Sequence, residues 1–367
     1  MSSTTTSPTA PLPPPTEHTG VWAWFRSRLF SSPLNILATV LIAWLLLMFI
    51  PAVVEWAFIK ANYTAANAQE CRASVGGACW AFIIEKHRLI LFGTYPYDEQ
   101  WRPLLATILL LAVIVVSAIR IFWKPWLALV WVVGLAGFYV LMGGGIFGLT
   151  PVENTRWGGL PLTLILATFG IACAFPIGVL LALGRRSRMP AIKALCVVYI
   201  ELIRGVPLIS LLFMSSVMLP LFLPVGFSID KLLRAQIAII MFASAYIAET
   251  VRGGLQAIPK GQYEGADSLG LSYWQAMRKI ILPQSLKVVI PPLVGIFISL
   301  FKDTSLVVII GIFDLTLAAK AALSDAAWRG FGIEAYVFIS LIYFVFCYSM
   351  SKYSQSIERR LQTGHQR

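Results

Sequence analysis

Charge is scarce in this chain. Only 13% of its 367 residues are Asp, Glu, Lys or Arg, against 58% hydrophobic, and a soluble domain carries roughly twice that charged fraction. Histidine is rarer still: the three stand apart at 18, 87 and 365, and the five cysteines include no Cys-x-x-Cys. A metal site is not expected. No Gly-x-x-x-x-Gly-Lys-Ser/Thr occurs. Gly143 to Gly148 has the glycines, but Leu149 and Thr150 follow, so the lysine and hydroxyl that hold a nucleotide's phosphates and magnesium are missing. With no nucleophilic triad, metal cluster or cofactor motif, no catalytic residue, no cofactor and no activity as an enzyme in its own right are expected.

What is there is apolar and continuous. Runs of about 20 apolar residues are long enough to cross the hydrocarbon core of a membrane, and the short alternating segments of a barrel are absent. The expected fold is all-α, a polytopic helical bundle of about eight spans: 34–58, 103–123, 126–149, 158–183, 192–223, 232–252, 288–310 and 331–350. The net charge of +12 is spread over loops instead of forming one stripe, so it points to anionic membrane lipid and not to nucleic acid. Residues 1–18, rich in Ser, Thr and Pro, read as a disordered tail within a cytoplasmic segment 1–33. The first apolar run is too long for a signal peptide, although Ala66-Asn67-Ala68 mimics a cleavage site.

With the N-terminus inside, the inner segments carry more Lys and Arg than the outer ones, including Arg26, Arg28, Arg120, Lys124, Arg185, Arg186, Arg188, Lys260, Arg278, Lys279, Arg359 and Arg360. That bias orients multi-span proteins. Both termini are therefore expected on the cytoplasmic side, and the loop 254–287 with them. Polar residues within spans begin only near Gly158. The chain thus reads as an N-terminal three-span extension, 34–150, with an outer loop 59–102, then a five-helix region, 151–356, and a short tail, 357–367.

The loop 254–287 holds Glu264-Gly265-Ala266, Gly270, then Ile280, Leu282 and Pro283. Helix-forming stretches flank Gly270, so the loop reads as two short helices broken at glycine and closed by Pro283. This spacing resembles the cytoplasmic "EAA" loop of ATP-binding-cassette (ABC) importer permeases, with Gly265 replacing the middle alanine. The strings Ala245-Tyr246-Ile247-Ala248-Glu249-Thr250-Val251-Arg252-Gly253-Gly254, Arg204-Gly205-Val206-Pro207-Leu208 and Phe301-Lys302-Asp303-Thr304-Ser305-Leu306 are similar to the polar amino-acid branch of that family, the histidine and glutamine systems. The three extra spans and the ending Glu358-Arg359-Arg360-Leu361 resemble the general L-amino-acid permease subunit more closely. The resemblance covers 155–367 well; before that it rests on topology and short strings such as Gly77-Ala78-Cys79-Trp80.

It implies a bacterial inner-membrane permease with a type-1 ABC transmembrane domain, importing polar or general L-amino acids. Its implied partners are a dimer of separate ATP-binding subunits, a second permease subunit (more readily a heterodimer than a homodimer) and a periplasmic amino-acid-binding protein. Glu264, Gly265, Ala266, Gly270 and Pro283 would couple to the ATPase, Glu264 either capping its helix or pairing across the interface.

Ionisable residues at membrane depth are costly and commonly functional. Glu201 and Arg204 stand three apart and share a helix face, so they can pair, and Pro207 kinks or restarts the helix. Glu249 and Arg252 repeat the spacing as an expected structural pair. Lys302, Asp303, Thr304 and Ser305 interrupt an apolar span; the two charges either meet a zwitterionic substrate or neutralise each other. Cys71 and Cys79 lie in the outer loop, where a disulfide is permitted. Two other readings stand beside the permease: an ion-coupled secondary transporter, which would show repeated halves with a broken helix in each, and a membrane scaffold, which gives no reason for the spacing from Glu264 to Pro283.

Overall fold

The apolar runs become helices. The structure, a computed structural model, describes residues 20–73, 76–224, 226 and 228–362; the tail expected at 1–18 and the chain from 363 onward lie outside them. No β-strand occurs among the described residues, only isolated bridges. The helices are α1 (Val21–Leu29), α2 (Pro33–Val54), α3 (Ala68–Ala73), α4 (Trp80–Phe92), α5 (Trp101–Ala118), α6 (Leu127–Gly143), α7 (Gly159–Arg185), α8 (Pro190–Gly205), α9 (Leu208–Phe213), α10 (Lys231–Ala257), α11 (Lys260–Ser268), α12 (Tyr273–Ala276), α13 (Leu282–Asp303), α14 (Leu315–Leu323) and α15 (Gly332–Gln362). Among the described residues six helical segments are long and apolar enough to cross a membrane, and α8 with the segment Leu208–Phe222 makes a further candidate bent by 104°. The remaining expected span, α6, is apolar but has 17 residues.

The chain divides into two compact units, Met1–Ala81 and Phe82–Arg367. In the first, Ser32 caps α2, with Pro33 opening it, an arrangement that uses a residue lacking an N–H where none is needed. No residue of α2 is buried, as suits a helix whose solvent is lipid. Beyond it, Cys71 and Cys79 are joined in a disulfide with Cα atoms 5.8 Å apart. Trp80 donates its indole N–H to the Ala57 carbonyl at 2.7 Å.

In the second unit, α7 and α10 form the centre. Small residues at Gly170, Ala174, Gly178 and Ala182 recur every four positions along α7, and spacing of this kind lets helices approach closely in lipid. A Cβ on Gly178 would lie 2.6 Å from Ile247 Cγ2 and 2.9 Å from the Ser244 carbonyl of α10. Gly254 does the same between α10 and α13, where a Cβ would lie 2.5 Å from Val289.

The connections fall at two ends. At one, Lys86 pairs with Asp325 at 2.6 Å, Phe82 packs against Trp328 and Phe331, Gly159 N–H donates to Phe313 at 2.8 Å, and Lys231 donates to the Gly311 carbonyl. At the other, Tyr353 donates to the Ala118 carbonyl at 3.1 Å and the loop 254–287 meets the end of α7. The helices therefore alternate in direction. Two expectations change here. The span 192–223 is not one helix: it breaks at Val206-Pro207, where proline has no N–H to continue the ladder. The segment 59–102 is more than a connecting loop, because α4 buries Phe82 and Ile90 completely.

Candidate functional site

The loop between α10 and α13 is built by local capping. α11 ends in a Schellman arrangement: Gly270 N–H donates to the Asp267 carbonyl at 2.9 Å and Leu271 N–H to Ala266 at 3.2 Å. Gly270 has φ +69°, a conformation costly for any residue with a Cβ. Ser272 and Gln275 then form a reciprocal capping box that starts α12.

Two expectations are corrected. Pro283 does not close the loop: α12 runs through a π-helical turn, Met277–Ile281, directly into α13, and the proline follows that turn as the second residue of α13, where the altered hydrogen-bond pattern accommodates a residue without an N–H. Glu264 is not a cap, since Pro259 holds that position. Glu264 lies mid-helix and exposed, with Gly265 and Gly270 also exposed and Ala266 buried. Its carboxylate has no ion pair or side-chain hydrogen bond among the described residues. The tip carries Leu269, Tyr273 and Trp274, which are 75%, 50% and 65% exposed. These were not singled out in the sequence; the available signal is large apolar residues within an otherwise polar loop, and an exposed apolar knob is the mark of a docking surface.

A network of charges lies beside this loop. Arg185, at the end of α7, pairs with Glu201 of α8 at 2.8 Å and with Glu249 of α10 at 3.3 Å. Arg252 makes two contacts of 3.0 Å to the Glu249 carboxylate, the i, i+3 pair expected. Arg204 stands 3.9 Å from Glu249, with its guanidinium 5.7 Å from the Tyr246 ring centre. The expected Glu201–Arg204 pair is thus replaced: the nearer guanidinium for Glu201 comes from the neighbouring helix, which spacing along one helix cannot reveal. The network ties the ends of α7, α8 and α10 together.

Further along α10 and α13 runs a groove of about 510 Å³, lined by Phe242, Tyr246, Ser299 and Asp303 among others. Phe242 and Tyr246, one turn apart, have ring centres 4.7 Å apart. Asp303 is half-buried, Lys302 exposed and Ser305 half-buried. Thr304 is buried with its hydroxyl donating to the Phe301 carbonyl at 2.7 Å. Of the polar run 302–305, the groove's lining therefore includes Asp303. A carboxylate beside two aromatic faces suits an ammonium group.

Comparison with known proteins bears on these features. The family model for the binding-protein-dependent transport system inner membrane component matches residues 174–363. The chain belongs to that family. Over 360 residues it is 51% identical to the inner membrane amino-acid ABC transporter permease protein YhdY of Escherichia coli K12, covering 96% of both chains. It is 39% identical to the glutamate/glutamine/aspartate/asparagine transport system permease protein BztC of Rhodobacter capsulatus, covering 97% of both. A crystal structure of an amino acid ABC transporter with histidines matches with TM-score 0.50 and 37% identity, over 55% of this chain and 92% of that one. The permease is a multi-pass inner-membrane component of an ABC transporter, all-α, with a role in transport.

Proposed function

We propose that this permease moves polar L-amino acids from the periplasm to the cytoplasm, driven by ATPase subunits on separate chains. The observation that carries the reading is the exposed knob of α11 and α12, hinged at Gly270 and tipped by Leu269 and Trp274. In a chain without a phosphate-binding loop of its own, such a knob is the part shaped to fit a motor. Glu264, Gly265, Ala266 and Gly270 would form the face offered to it, and Pro283 would begin the helix that carries its movement into the membrane. The amino-acid cargo is supported by the names of YhdY and BztC together with the extent of identity to each.

The loop 254–287 and both termini lie on the cytoplasmic side in this reading, following the lysine and arginine bias. The opposite end, where Lys86, Asp325 and α4 lie, faces the periplasm, an oxidising compartment in which the Cys71–Cys79 bond persists. A second permease subunit completes the pathway as a heterodimer, and a periplasmic amino-acid-binding protein delivers the cargo. Asp303 is assigned to the substrate's ammonium group. Lys302, Thr304 and Ser305 support that turn of the helix, while Glu201 and Arg204 hold the inner end. ATP binding favours one of two pathway conformations only by the motor's differential affinity for them.

The test is reconstitution in proteoliposomes. Uptake of amino acid should require both the ATPase subunits and the binding protein; uptake driven by an ion gradient alone would contradict the proposal.

A further inference from the structure

The carbonyl of Leu255 lies in the last turn of α10, where an intrahelical donor would come from residue 259. That residue is Pro259, which has no N–H, so the acceptor must be satisfied from outside the helix. Two side chains do this. Arg186, the residue that caps α7, donates through Nη1 to the Leu255 carbonyl at 3.1 Å and to the Tyr263 hydroxyl at 3.0 Å. Tyr263, in α11, donates in turn to Leu255 at 3.0 Å. The Arg186 guanidinium also lies 5.4 Å from the Tyr263 ring centre. Three elements thus close on one triangle: the end of α7, the end of α10 and the first helix of the loop.

α11 has few other attachments. Among the described residues, its remaining side-chain hydrogen bond to another element is Gln262 accepting from Gln284 at 3.1 Å, and Ala266 is its one buried residue. The residue before Arg186 faces the other way. Arg185 holds Glu201 on α8 and Glu249 on α10, and Arg252 and Arg204 converge on the same Glu249. A displacement of α11 must therefore carry the last turn of α7 with it or break the triangle, and that last turn grips α8 and α10.

We infer that Arg186 and Tyr263 are positioning residues for energy coupling, the joint through which movement of the loop reaches the inner ends of α7, α8 and α10. The inference rests on the reading that this loop receives the ATPase.

The test uses the complete transporter in proteoliposomes, comparing Tyr263→Phe, Arg186→Gln and the double variant. The readouts are retained ATPase subunit, ATP hydrolysis, and uptake per ATP hydrolysed. Tyr263→Phe keeps the ring and removes only the hydroxyl. It should leave ATPase retention and hydrolysis unchanged while uptake per ATP falls about five-fold, the effect expected of a lost hydrogen bond that acts on one conformational step. Arg186→Gln should do the same. The double variant should fall no further, because the two act as one unit. Arg186→Lys, which keeps the charge at the end of α7 and one donor to Leu255, should lie between Gln and wild type, and it decides the matter if a more drastic variant assembles poorly. Wild-type uptake per ATP in Tyr263→Phe, or losses that multiply in the double variant, would overturn the joint. The docking of the loop is checked separately with Glu264→Lys, Gly270→Val: if that variant keeps both ATPase and full uptake, the docking reading falls first and the joint with it.

Discussion

The two ends of the Phe82–Arg367 unit are put together differently. At the end away from the loop, polar groups are turned inward. Arg102, with no exposed side-chain surface, is paired with Glu99 and donates to the Leu141 and Thr150 carbonyls at 2.8 and 2.9 Å. Asp314, also buried, caps α14 by accepting from Leu317 and Thr316. Glycine backbones touch there: a Cβ on Gly93 would lie 2.7 Å from Gly158. At the loop end the polar groups are partly wet and gathered into shared ion pairs, and apolar side chains stand in the open. Buried polar groups held by several hydrogen bonds tolerate little rearrangement, whereas half-exposed ion pairs exchange partners at small cost. The contrast assigns rigidity to one end and movement to the other.

Stability measurements can break that contrast. The largest effect should come from Arg102→Met, which removes the donor to the Leu141 and Thr150 carbonyls and leaves Glu99 with its Thr150 partner. Leaving a buried carbonyl without a donor costs about 1–3 kcal/mol, so the purified variant should unfold below wild type in a thermal melt. A wild-type melting curve would show that the end away from the loop is not locked.

A smaller effect concerns pH. Asp314 lies in the turn between the spans ending at Ile310 and beginning at Gly332. Burial pushes its carboxyl up to about 6, in spite of the amide hydrogen bonds from Leu317 and Thr316 that favour its charged form. Its value in the folded chain is therefore above that in the unfolded chain, so the folded state binds the proton more tightly. The contribution of Asp314 to stability is lowest above pH 6 and rises as pH falls through about 6 towards 4, by up to about 3 kcal/mol. Asp314→Asn keeps the capping acceptor and should flatten the stability profile between pH 4 and 6. An undiminished slope in the variant would place the titrating group elsewhere.

Smallest of all should be the change in stability on replacing Leu269 or Trp274 with serine. Both are exposed, so unfolding should shift by no more than about 0.5 kcal/mol, while the ATPase subunit recovered with the permease falls. A large loss of stability would mean that the knob is part of the core.

Much of this was legible beforehand where one physical signal dominates. Apolar runs mark the spans because lipid requires about 20 such residues. Gly270 marks the hinge because a positive φ favours glycine, and Pro207 marks the break in the span that begins at α8. What was not legible depends on neighbours distant in sequence. Glu85, Lys86, His87 and Arg88 make α4 look like solvated loop, yet Ile90 is buried and Phe82 packs against Trp328 and Phe331, about 250 positions away. Glu201 has a plausible partner three residues on, but Arg185 approaches from another helix. Pro283 reads as a stop, and only the π-helical turn before it shows why the helix continues. The Arg186–Tyr263 contact joins two residues that no pattern links, although the missing N–H of Pro259 leaves a carbonyl in need of donors.

The central claim, that the loop between α10 and α13 receives the motor's force, is tested most directly by amino-acid uptake in the reconstituted complex carrying Glu264→Lys and Gly270→Val together. Neither added side chain meets a packed neighbour, since Glu264 is exposed and no atom lies within 4 Å of a Cβ on Gly270; the valine brings only the strain of a positive φ, about 1–2 kcal/mol. The account predicts a permease that inserts normally, recovers little ATPase subunit and takes up almost no substrate. Uptake at the wild-type rate, with the ATPase still bound, would contradict it.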